Sequence, residues 1–332
     1  MKFNLKKNFS ECIGNTPIIK LKVASELSGC EIYGKCEFLN PGGSVKDRPA
    51  LQIIKDAIKK KQIEKGGTIV EGTAANTGIG LCLVGNSIGL NSIIVMPRTQ
   101  SNEKKKMLKL CGAKLKLVDA LPYKNPGNYI RYSETLAKSI VNNHGVLWAN
   151  QFDNLSNKKS HYLTTGPEIY KQLSQKVDAF ICSIGTGGTI SGVSEFLKEK
   201  NKNIVIGLAD PMGSAMHNFY KNGKLKSTGS SITEGIGQGR ITRNLENTVI
   251  DESFQITDTE ALNIVYEMVR KEGLILGGSS GVNIMGAVKL GKLIGPNKKI
   301  VTILCDYGTK YESKIFNKKF LKDKELPIPE WL

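Results

Sequence analysis

The loop at residues 40–49, Asn-Pro-Gly-Gly-Ser-Val-Lys-Asp-Arg-Pro, is the first stretch whose residue types could do chemistry. Ser44 and Asp47 have the spacing of a capping box, and apolar residues recur behind them every three or four positions, which predicts a helix. Pro49 suits only a first turn, so the helix could start a residue or two later than Ser44. An ammonium is disfavoured beside the free N–H groups of a helix start, so Lys46 is a candidate neutral amine for a Schiff base. The alternative is a solvated surface lysine, one of 41 in the chain.

Three more glycine-rich loops each lie between a predicted strand and a predicted helix. At 73–78, Thr-Ala-Ala-Asn-Thr-Gly, the polar groups would suit a carboxylate and a neighbouring phenolic oxygen; the alternative is an ordinary helix cap. At 185–189, Gly-Thr-Gly-Gly-Thr, the backbone can close around a phosphate. A dinucleotide-binding loop is the weaker interpretation there, because the third glycine is misplaced. At 277–281, Gly-Gly-Ser-Ser-Gly could supply a neutral hydroxyl or simply cap a helix.

Together the four loops provide an amine, a carboxylate site, a phosphate cup and a neutral hydroxyl, which is the set that holds pyridoxal phosphate and an amino acid. In this order they resemble the motifs of the cysteine synthase (O-acetylserine sulfhydrylase) and cystathionine β-synthase family of fold-type II pyridoxal-phosphate enzymes. Matches at 13–17, Ile-Gly-Asn-Thr-Pro, and at 150–154, Asn-Gln-Phe-Asp-Asn, extend the resemblance over nearly the whole chain. The motifs are more specific for the fold and the cofactor than for one reaction within the family.

The resemblance implies a role for each matching residue. Lys46 would form the internal aldimine with pyridoxal 5'-phosphate, Asn76 would bond to the ring hydroxyl, and Ser279 would face the pyridine nitrogen. The cofactor's phosphate would be held by Gly185, Thr186, Gly187, Gly188 and Thr189. The substrate would contact Thr73, Ala74, Asn76, Thr77, Gln151 and Gly235, and its carboxylate would be bound by Thr73, Thr77 and Gln151.

The reaction that the resemblance implies is β-replacement: O-acetyl-L-serine loses acetate to give an aminoacrylate, and sulfide adds to give L-cysteine. Lys46 would act as general base at Cα, and closure of the smaller domain would exclude water. A neutral hydroxyl at Ser279 makes the ring a weaker electron sink than an aspartate would, which favours β-elimination and β-replacement over transamination. The alternatives are cystathionine β-synthase-like chemistry with homocysteine as the nucleophile, use of serine or O-phosphoserine as the donor, and a serine/threonine dehydratase. A non-enzymatic alternative is an idle paralogue that binds serine acetyltransferase.

Two features depart from the family's pattern. Ala74 and Ala75 stand where cysteine synthases commonly carry Ser-Gly, which removes a hydroxyl and a flexible glycine. Arg240, in the cleft loop at 233–240, has no assigned counterpart. We predict that Arg240 pairs with a local acid such as Glu234; the alternative is that it binds a second anionic group on a substrate.

Strand, loop and helix alternate along most of the chain, which predicts parallel sheets covered by helices. Strands are predicted at 31–39, 67–71, 91–96, 115–118, 177–182, 203–208 and 300–305, and helices at 44–62, 79–84, 102–111, 129–142, 190–197, 257–271 and 282–293. The rhythm restarts near 149–154, and residues 212–247 are predicted to be long loops over a cleft. With the resemblance, this gives an α/β fold of two domains, each a mostly parallel twisted sheet covered by helices. They would be a smaller, mobile domain at 41–152 and a larger domain of 1–40 with 153–332, with the active site in the cleft between them.

Composition narrows the setting of the protein. The net charge is +17, but only six of the 47 basic residues are Arg, whereas nucleic-acid readers rely on Arg and interleaved aromatics, so we expect no nucleic-acid partner. Seven scattered cysteines and three histidines without ligand spacing predict a reduced, cytoplasmic protein and no metal site. We expect no membrane span and no secretory signal: apolar runs stay below roughly 18 residues, and residues 1–9 resemble at most a short arm. The resemblance implies a homodimer.

Overall fold

The computed structural model describes residues 5–332, so the first four residues of the predicted N-terminal arm lie outside the described chain. Its strands are β1 (Ile18–Lys20), β2 (Glu31–Cys36), β3 (Thr68–Gly72), β4 (Asn91–Pro97), β5 (Lys114–Val118), β6 (Val146–Trp148), β7 (Ala179–Cys182), β8 (Val205–Pro211), β9 (Glu252–Ile256) and β10 (Lys299–Leu304). Its helices are α1 (Lys22–Ser28), α2 (Asp47–Lys59), α3 (Asn76–Asn86), α4 (Asn102–Leu110), α5 (Tyr129–Ser139), α6 (Ser156–Ser160), α7 (Gly166–Gln172), α8 (Gly188–Lys200), α9 (Met216–Asn222), α10 (Asp258–Glu272), α11 (Gly278–Ile294) and α12 (Lys318–Asp323). A single π-helical turn, His161–Thr165, joins α6 to α7.

The strands form two sheets. The larger has six strands in the order β1-β2-β10-β7-β8-β9, and the smaller has four in the order β5-β4-β3-β6. Every neighbouring pair is parallel except β1 and β2, which are antiparallel. The predicted α/β fold with two mostly parallel, helix-covered sheets is confirmed.

Helices cover both faces of the larger sheet because its central strands are apolar on both sides. Along β7, Ala179 and Ile181 pack into one core with α1, α10 and α11, while Phe180 and Cys182 pack into another with α7 and α8. Successive side chains of a strand point to opposite faces, so a doubly covered strand needs an unbroken apolar run. The smaller sheet is built in the same way, with α2 and α3 packed on β3, and α3 and α4 packed on β4.

The two sheets divide the chain unequally. All four strands of the smaller sheet come from residues 68–148, whereas β1 and β2 join the six-stranded sheet beside β10. Whether residues 41–152 move as a separate domain stays a prediction. Within residues 5–332, no helix is both long enough and apolar enough to cross a lipid bilayer.

Candidate active site

A cavity of about 350 Å³ is lined by the loops that follow β3, β6, β7 and β10. A smaller recess lies beside it and shares several of the same residues. The residues predicted for the site that line the main cavity are Lys46, Thr73, Ala74, Asn76, Thr77, Gln151, Gly185, Thr186, Gly235 and Ser279. Gly187 and Thr189 line the recess, whereas Gly188 packs against Asn157 instead. Residues that are far apart in sequence thus meet around one space.

Lys46 lies where its loop joins α2 and borders both the cavity and the recess. It is half-buried and occupies the N-cap position, with φ −79° and ψ −11°. The loop before it is fixed to the end of β10, because the amide of Val45 donates to the carbonyl of Cys305 at 2.9 Å and Ser44 forms an antiparallel bridge with Asp306. The larger sheet therefore determines where this amine sits.

The predicted capping box at the start of α2 is wrong. The helix begins at Asp47, so its N-cap lies two positions after Ser44, within the range that Pro49 allows. The carboxylate of Asp47 instead accepts a hydrogen bond from the amide of Gly42 at 2.5 Å. Burial raises the pKa of Asp47 to about 7, against the opposing effect of this hydrogen bond. Asp47 thus ties the glycine turn to the helix rather than capping it.

Four helices begin at the cavity, and like α1, α6, α7 and α9 they lack a side-chain cap. In the described chain, no side chain caps the N-terminus of α2, α3, α8 or α11. The first turn of a helix leaves backbone N–H groups without partners, and these groups carry partial positive charge. Four such ends around one cavity make it suited to anionic groups.

The loop at 185–189 forms a glycine cradle at the start of α8. Gly187 is the N-cap and has φ 86°, in the left-handed region that favours glycine. A Cβ at Gly185 would overlap the carbonyl oxygen of Gly235, and one at Gly188 would overlap Asn157. Glycine is therefore required here both for the conformation and for close packing.

Two residues behind the cradle were missed by sequence analysis. Nδ2 of Asn157 donates to Oγ1 of Thr186 at 2.8 Å, and Nε2 of His161 lies 3.2 Å from Oγ1 of Thr189. His161 is fully buried, and burial lowers its pKa well below the usual range, so its ring is neutral. Both residues orient hydroxyls of the predicted phosphate cup. The only sequence signal for these two residues was that Asn157 and His161 lie four positions apart, which is the spacing of neighbours on one face of a helix.

The loop after β3 comes together with Gln151. Oγ1 of Thr77 donates to Oε1 of Gln151 at 2.5 Å, and Nε2 of Gln151 donates to the carbonyl of Gly72 at 3.3 Å. Oγ1 of Thr73 accepts a hydrogen bond from the amide of Ala75 at 3.1 Å. Ala75 is fully buried with φ 138°, so it occupies strained backbone at the position where the family commonly has glycine.

A buried acid lies beside this loop. Glu71, in β3, is 1% exposed, and burial raises its pKa to about 8, against the opposing effect of hydrogen bonds from Gln151 and Asn150. The side chain is therefore mostly protonated at neutral pH.

Ser279 is the second residue of α11 and is buried at the cavity wall. The next serine has a different partner, because Oγ of Ser280 accepts a hydrogen bond from the amide of Cys305 at 2.9 Å. The structure thus distinguishes the two serines of the motif and leaves the first at the cavity.

The predicted pairing of Arg240 with Glu234 is wrong. The guanidinium of Arg240 forms two parallel hydrogen bonds with Asp153, at 3.0 and 2.9 Å, and lies 4.6 Å above the ring of Tyr123. Glu234 is bound by two other cations, which are Lys104 and Lys314. The wall of the cavity near Arg240 is thus formed by a neutralised ion pair.

The residues around the cavity fit the cofactor that the resemblance implies. A half-buried primary amine, a glycine cradle at an uncapped helix N-terminus and a buried neutral hydroxyl suit an aldehyde, a phosphate and a pyridine ring respectively. In residues 5–332, no three His, Cys, Asp or Glu side chains are placed to hold a metal ion.

Comparison with known proteins agrees with this fit. The family model described as "Pyridoxal-phosphate dependent enzyme" matches residues 9–306. The chain is 46% identical over 335 residues to cysteine synthase 1 of Neurospora crassa, covering 99% of this chain and 88% of that protein. It is 41% identical to the cysteine synthase of Dictyostelium discoideum, covering 96% and 86%. A solved structure, the O-acetylserine dependent cystathionine β-synthase from Helicobacter pylori, matches with a TM-score of 0.85 at 32% identity, covering 94% of this chain and 99% of that one. The resemblance seen in the motifs is confirmed, and the chain belongs to the family of pyridoxal-phosphate dependent enzymes.

Proposed function

We propose that this enzyme makes L-cysteine from O-acetyl-L-serine and sulfide by β-replacement. The observation that carries the proposal is the 46% identity to a cysteine synthase over 99% of the chain. The cavity supports it, because one space is lined by Lys46, by the loop after β3 and by part of the 185–189 cradle.

Pyridoxal phosphate, when bound, withdraws electrons from Cα of an amino acid and so makes the Cα–H bond acidic and the β-substituent a leaving group. The 185–189 cradle and the uncapped N-terminus of α8 would hold its phosphate. Asn76 would bond to its ring hydroxyl, and Ser279 would bond to its ring nitrogen. Because a hydroxyl carries no charge, Ser279 favours loss of the β-substituent over transamination.

The N-terminus of α3 would bind the carboxylate of the substrate. The Thr73 hydroxyl provides a donor beside the uncapped first turn. The Thr77 hydroxyl and the Gln151 amide, which are hydrogen-bonded to each other and to Gly72, would turn towards the carboxylate when it binds. Ala74 and Gly235 complete the wall of the cavity here. Binding at this end keeps the substrate in the same space as the Lys46 amine.

Lys46 would transfer the proton that leaves and returns to Cα. Its amine would take the proton from Cα of the substrate and return it to Cα of the product. Residues 41–152 would close over the carboxylate and keep water out while the β-substituent is replaced.

Visible absorption spectroscopy and product analysis test the proposal. The purified protein should have a visible band that is lost in Lys46→Ala, changes when O-acetylserine is added and returns when sulfide is added. A wild-type protein without the band, or a Lys46→Ala variant that keeps it, would refute the role of Lys46. The Helicobacter relative is named as an O-acetylserine dependent cystathionine β-synthase, so homocysteine is the competing nucleophile to test. Faster turnover with homocysteine than with sulfide would replace the proposed product by cystathionine.

The proposal also covers the cellular compartment, the oligomeric state and a protein partner of the enzyme. We place it in the cytoplasm, because all seven cysteines, which lie within the described chain, are free thiols. The homodimer and the binding of serine acetyltransferase stay predictions. Light scattering of the purified protein tests the first, and co-purification with a serine acetyltransferase tests the second.

A further inference from the structure

Lys310 sits at the centre of a group of contacts that the proposed mechanism does not use. Its Nζ donates hydrogen bonds to Oδ1 of Asn76 at 3.0 Å, to the carbonyl of Gly42 at 3.1 Å and to the carbonyl of Gly43 at 2.9 Å. An ammonium has three N–H donors, so these three acceptors use all of them. Lys310 is half-buried, which makes such a fully bonded ammonium a structural device rather than a solvated surface charge.

Asp306 binds the other side of the same amide. Its Oδ2 accepts hydrogen bonds from Nδ2 of Asn76 at 2.7 Å and from the hydroxyl of Tyr311 at 2.8 Å. Asp306 is fully buried, and Tyr311 is 5% exposed. A flipped amide would put its oxygen against the carboxylate of Asp306 and its N–H groups against the ammonium of Lys310, so the contacts permit only one orientation.

The orientation leaves one donor of Asn76 free for a ligand. An amide nitrogen carries two hydrogens, and Asp306 takes one of them. Asn76 is also a residue that lines the cavity. The second N–H is the group that a phenolic oxygen in the cavity would require.

The same two residues also tie down the loop that carries Lys46, Lys310 by its side chain and Asp306 by its backbone. Lys310 binds the carbonyls of Gly42 and Gly43, which lie a few residues before Lys46, and the backbone of Asp306 forms the bridge with Ser44. The segment after β10 therefore fixes the Lys46 loop and the Asn76 amide relative to each other, although the two belong to different loops.

We propose that Lys310 and Asp306 are positioning residues that orient the Asn76 amide toward the cofactor's phenolic oxygen and hold the Lys46 loop at a fixed distance from it. This inference rests on the proposed role of Asn76 as the partner of that oxygen. It assigns to the segment after β10 a function that the four glycine-rich loops alone do not supply.

Two measurements on the loaded enzyme besides activity test the proposal. The first is the ratio of the visible and near-ultraviolet absorption bands, which responds to hydrogen bonding at the phenolic oxygen. The second is the rate of cofactor release after dilution. We expect Lys310→Met and Asp306→Asn to change the band ratio at least twofold, in the same direction as Asn76→Ala, and to speed release about tenfold. Lys310→Arg, which keeps the charge and the donors, should recover most of the wild-type ratio.

Lys289→Met is the matched control. Lys289 is also half-buried, donates to the carbonyl of Gln255 at 2.9 Å and pairs with Glu260 at 2.7 Å, but it makes no hydrogen bond to Asn76 or to the Lys46 loop. We expect this variant to keep the wild-type band ratio and release rate. An equal effect of Lys289→Met would show that any lost ammonium disturbs the fold, and would overturn the proposal.

Further outcomes distinguish a failure of the positioning role of Lys310 and Asp306 from a failure of the proposed role of Asn76. If Asn76→Ala changes both readouts while Lys310→Met and Asp306→Asn leave them at wild-type values, the positioning role is refuted and the role of Asn76 stands. If Asn76→Ala itself changes neither readout, the proposed role of Asn76 fails, and the inference fails with it. If Lys310→Met does not fold, Asp306→Asn decides, because it is nearly isosteric and removes only the charge.

Discussion

Replacing Arg48 by Met should be among the most destabilising single changes in the chain. Arg48 is buried in the first turn of α2, two positions after Lys46. Its guanidinium donates two hydrogen bonds to Glu37, both at 2.7 Å, and two to Glu168, at 2.7 and 2.8 Å. Met has no charge and fills the space of the aliphatic part of Arg48, so the change removes the bonds and keeps the apolar packing of the stem.

The loss of stability in Arg48→Met depends on which partners remain for the carboxylates of Glu168 and Glu37. Glu168 is 14% exposed and still has Lys35 at 2.6 Å, so it stays paired. Glu37 is fully buried and keeps only the neutral donors Thr16 and Asn40, at 2.7 and 2.9 Å. Removing one partner of a buried ion pair costs about 3–5 kcal/mol, and one carboxylate here is still compensated, so we expect Arg48→Met to lower the free energy of unfolding by about 4 kcal/mol.

Urea unfolding of the loaded enzyme at pH 7, followed by circular dichroism, measures this loss. Adding Glu37→Gln to Arg48→Met removes the stranded charge, so the double variant should be about 2 kcal/mol more stable than the sum of the single effects predicts. A loss below about 1 kcal/mol for Arg48→Met, or strictly additive effects, would refute the argument that Glu37 is left as an uncompensated buried charge.

Acid should weaken the same network. Burial opposes ionisation of Glu168, but the hydrogen bonds and charges of Arg48 and Lys35 outweigh it and lower its pKa to about 2. Because this pKa is depressed, the network contributes its stability above the ordinary carboxyl pKa and loses it as the pH falls towards 2. Part of the difference between wild type and Arg48→Met should therefore disappear in acid.

Three further changes test other parts of the site. Ala75→Gly should raise the free energy of unfolding by about 1 kcal/mol in urea titrations, because relief of the strain at φ 138° exceeds the entropy cost of a glycine; a loss of stability would show that the backbone is not strained. Glu71→Gln should stabilise the protein relative to wild type, and increasingly so as the pH rises from 5 to 9, because the raised pKa of Glu71, about 8, means that the stability of the wild type falls over this interval. Replacing the exposed Glu246 by Gln is the control. Parallel pH profiles of stability for Glu71→Gln and wild type would contradict the raised pKa of Glu71. Gly188→Ala should weaken cofactor binding at least about tenfold in a fluorescence titration, because the new methyl group displaces Asn157 from Thr186; wild-type affinity would mean that the cradle tolerates a side chain.

Two strands buried on both faces, β4 and β10, could be predicted from the sequence to within one residue, whereas the predicted bounds of β7 and β8 are displaced by up to three residues. The sequences of β4 and β10 are largely unbroken apolar runs between turn residues, as a parallel strand covered on both faces requires. In contrast, β9 was missed because it lies at the edge of the sheet and carries polar residues, Glu-Ser-Phe-Gln-Ile. The three-residue β6 is too short for a pattern, and α9 was missed because residues 212–247 have little periodicity.

The local parts of the site were predictable, and the tertiary parts were not. Glycine loops and helix starts depend on backbone conformation, which neighbouring residues report. The partner of Arg240 depends on the fold: sequence proximity favoured Glu234, whereas the structure pairs Arg240 with Asp153, 87 positions away. The same limit explains why Asn157 and Lys310, which hold residues of other loops, were not found.

The position of β10 has a consequence for how the protein is made. It is the last strand within residues 5–332, yet it lies in the middle of the larger sheet, between β2 and β7. The four-stranded sheet is complete in sequence at Trp148, but the antiparallel pair of β1 and β2, finished at Cys36, has no permanent neighbour until about 260 residues later. At about 5–20 residues per second of synthesis, that interval lasts tens of seconds.

From the synthesis of β7 until that of β10, β2 and β7 each present an open backbone edge to other nascent chains and to chaperones. A polypeptide cut short before Lys299 keeps both edges exposed, so prematurely terminated products should aggregate or be degraded rather than accumulate as half-built molecules. Only a chain that extends through β10, to Leu304, can therefore close the larger sheet.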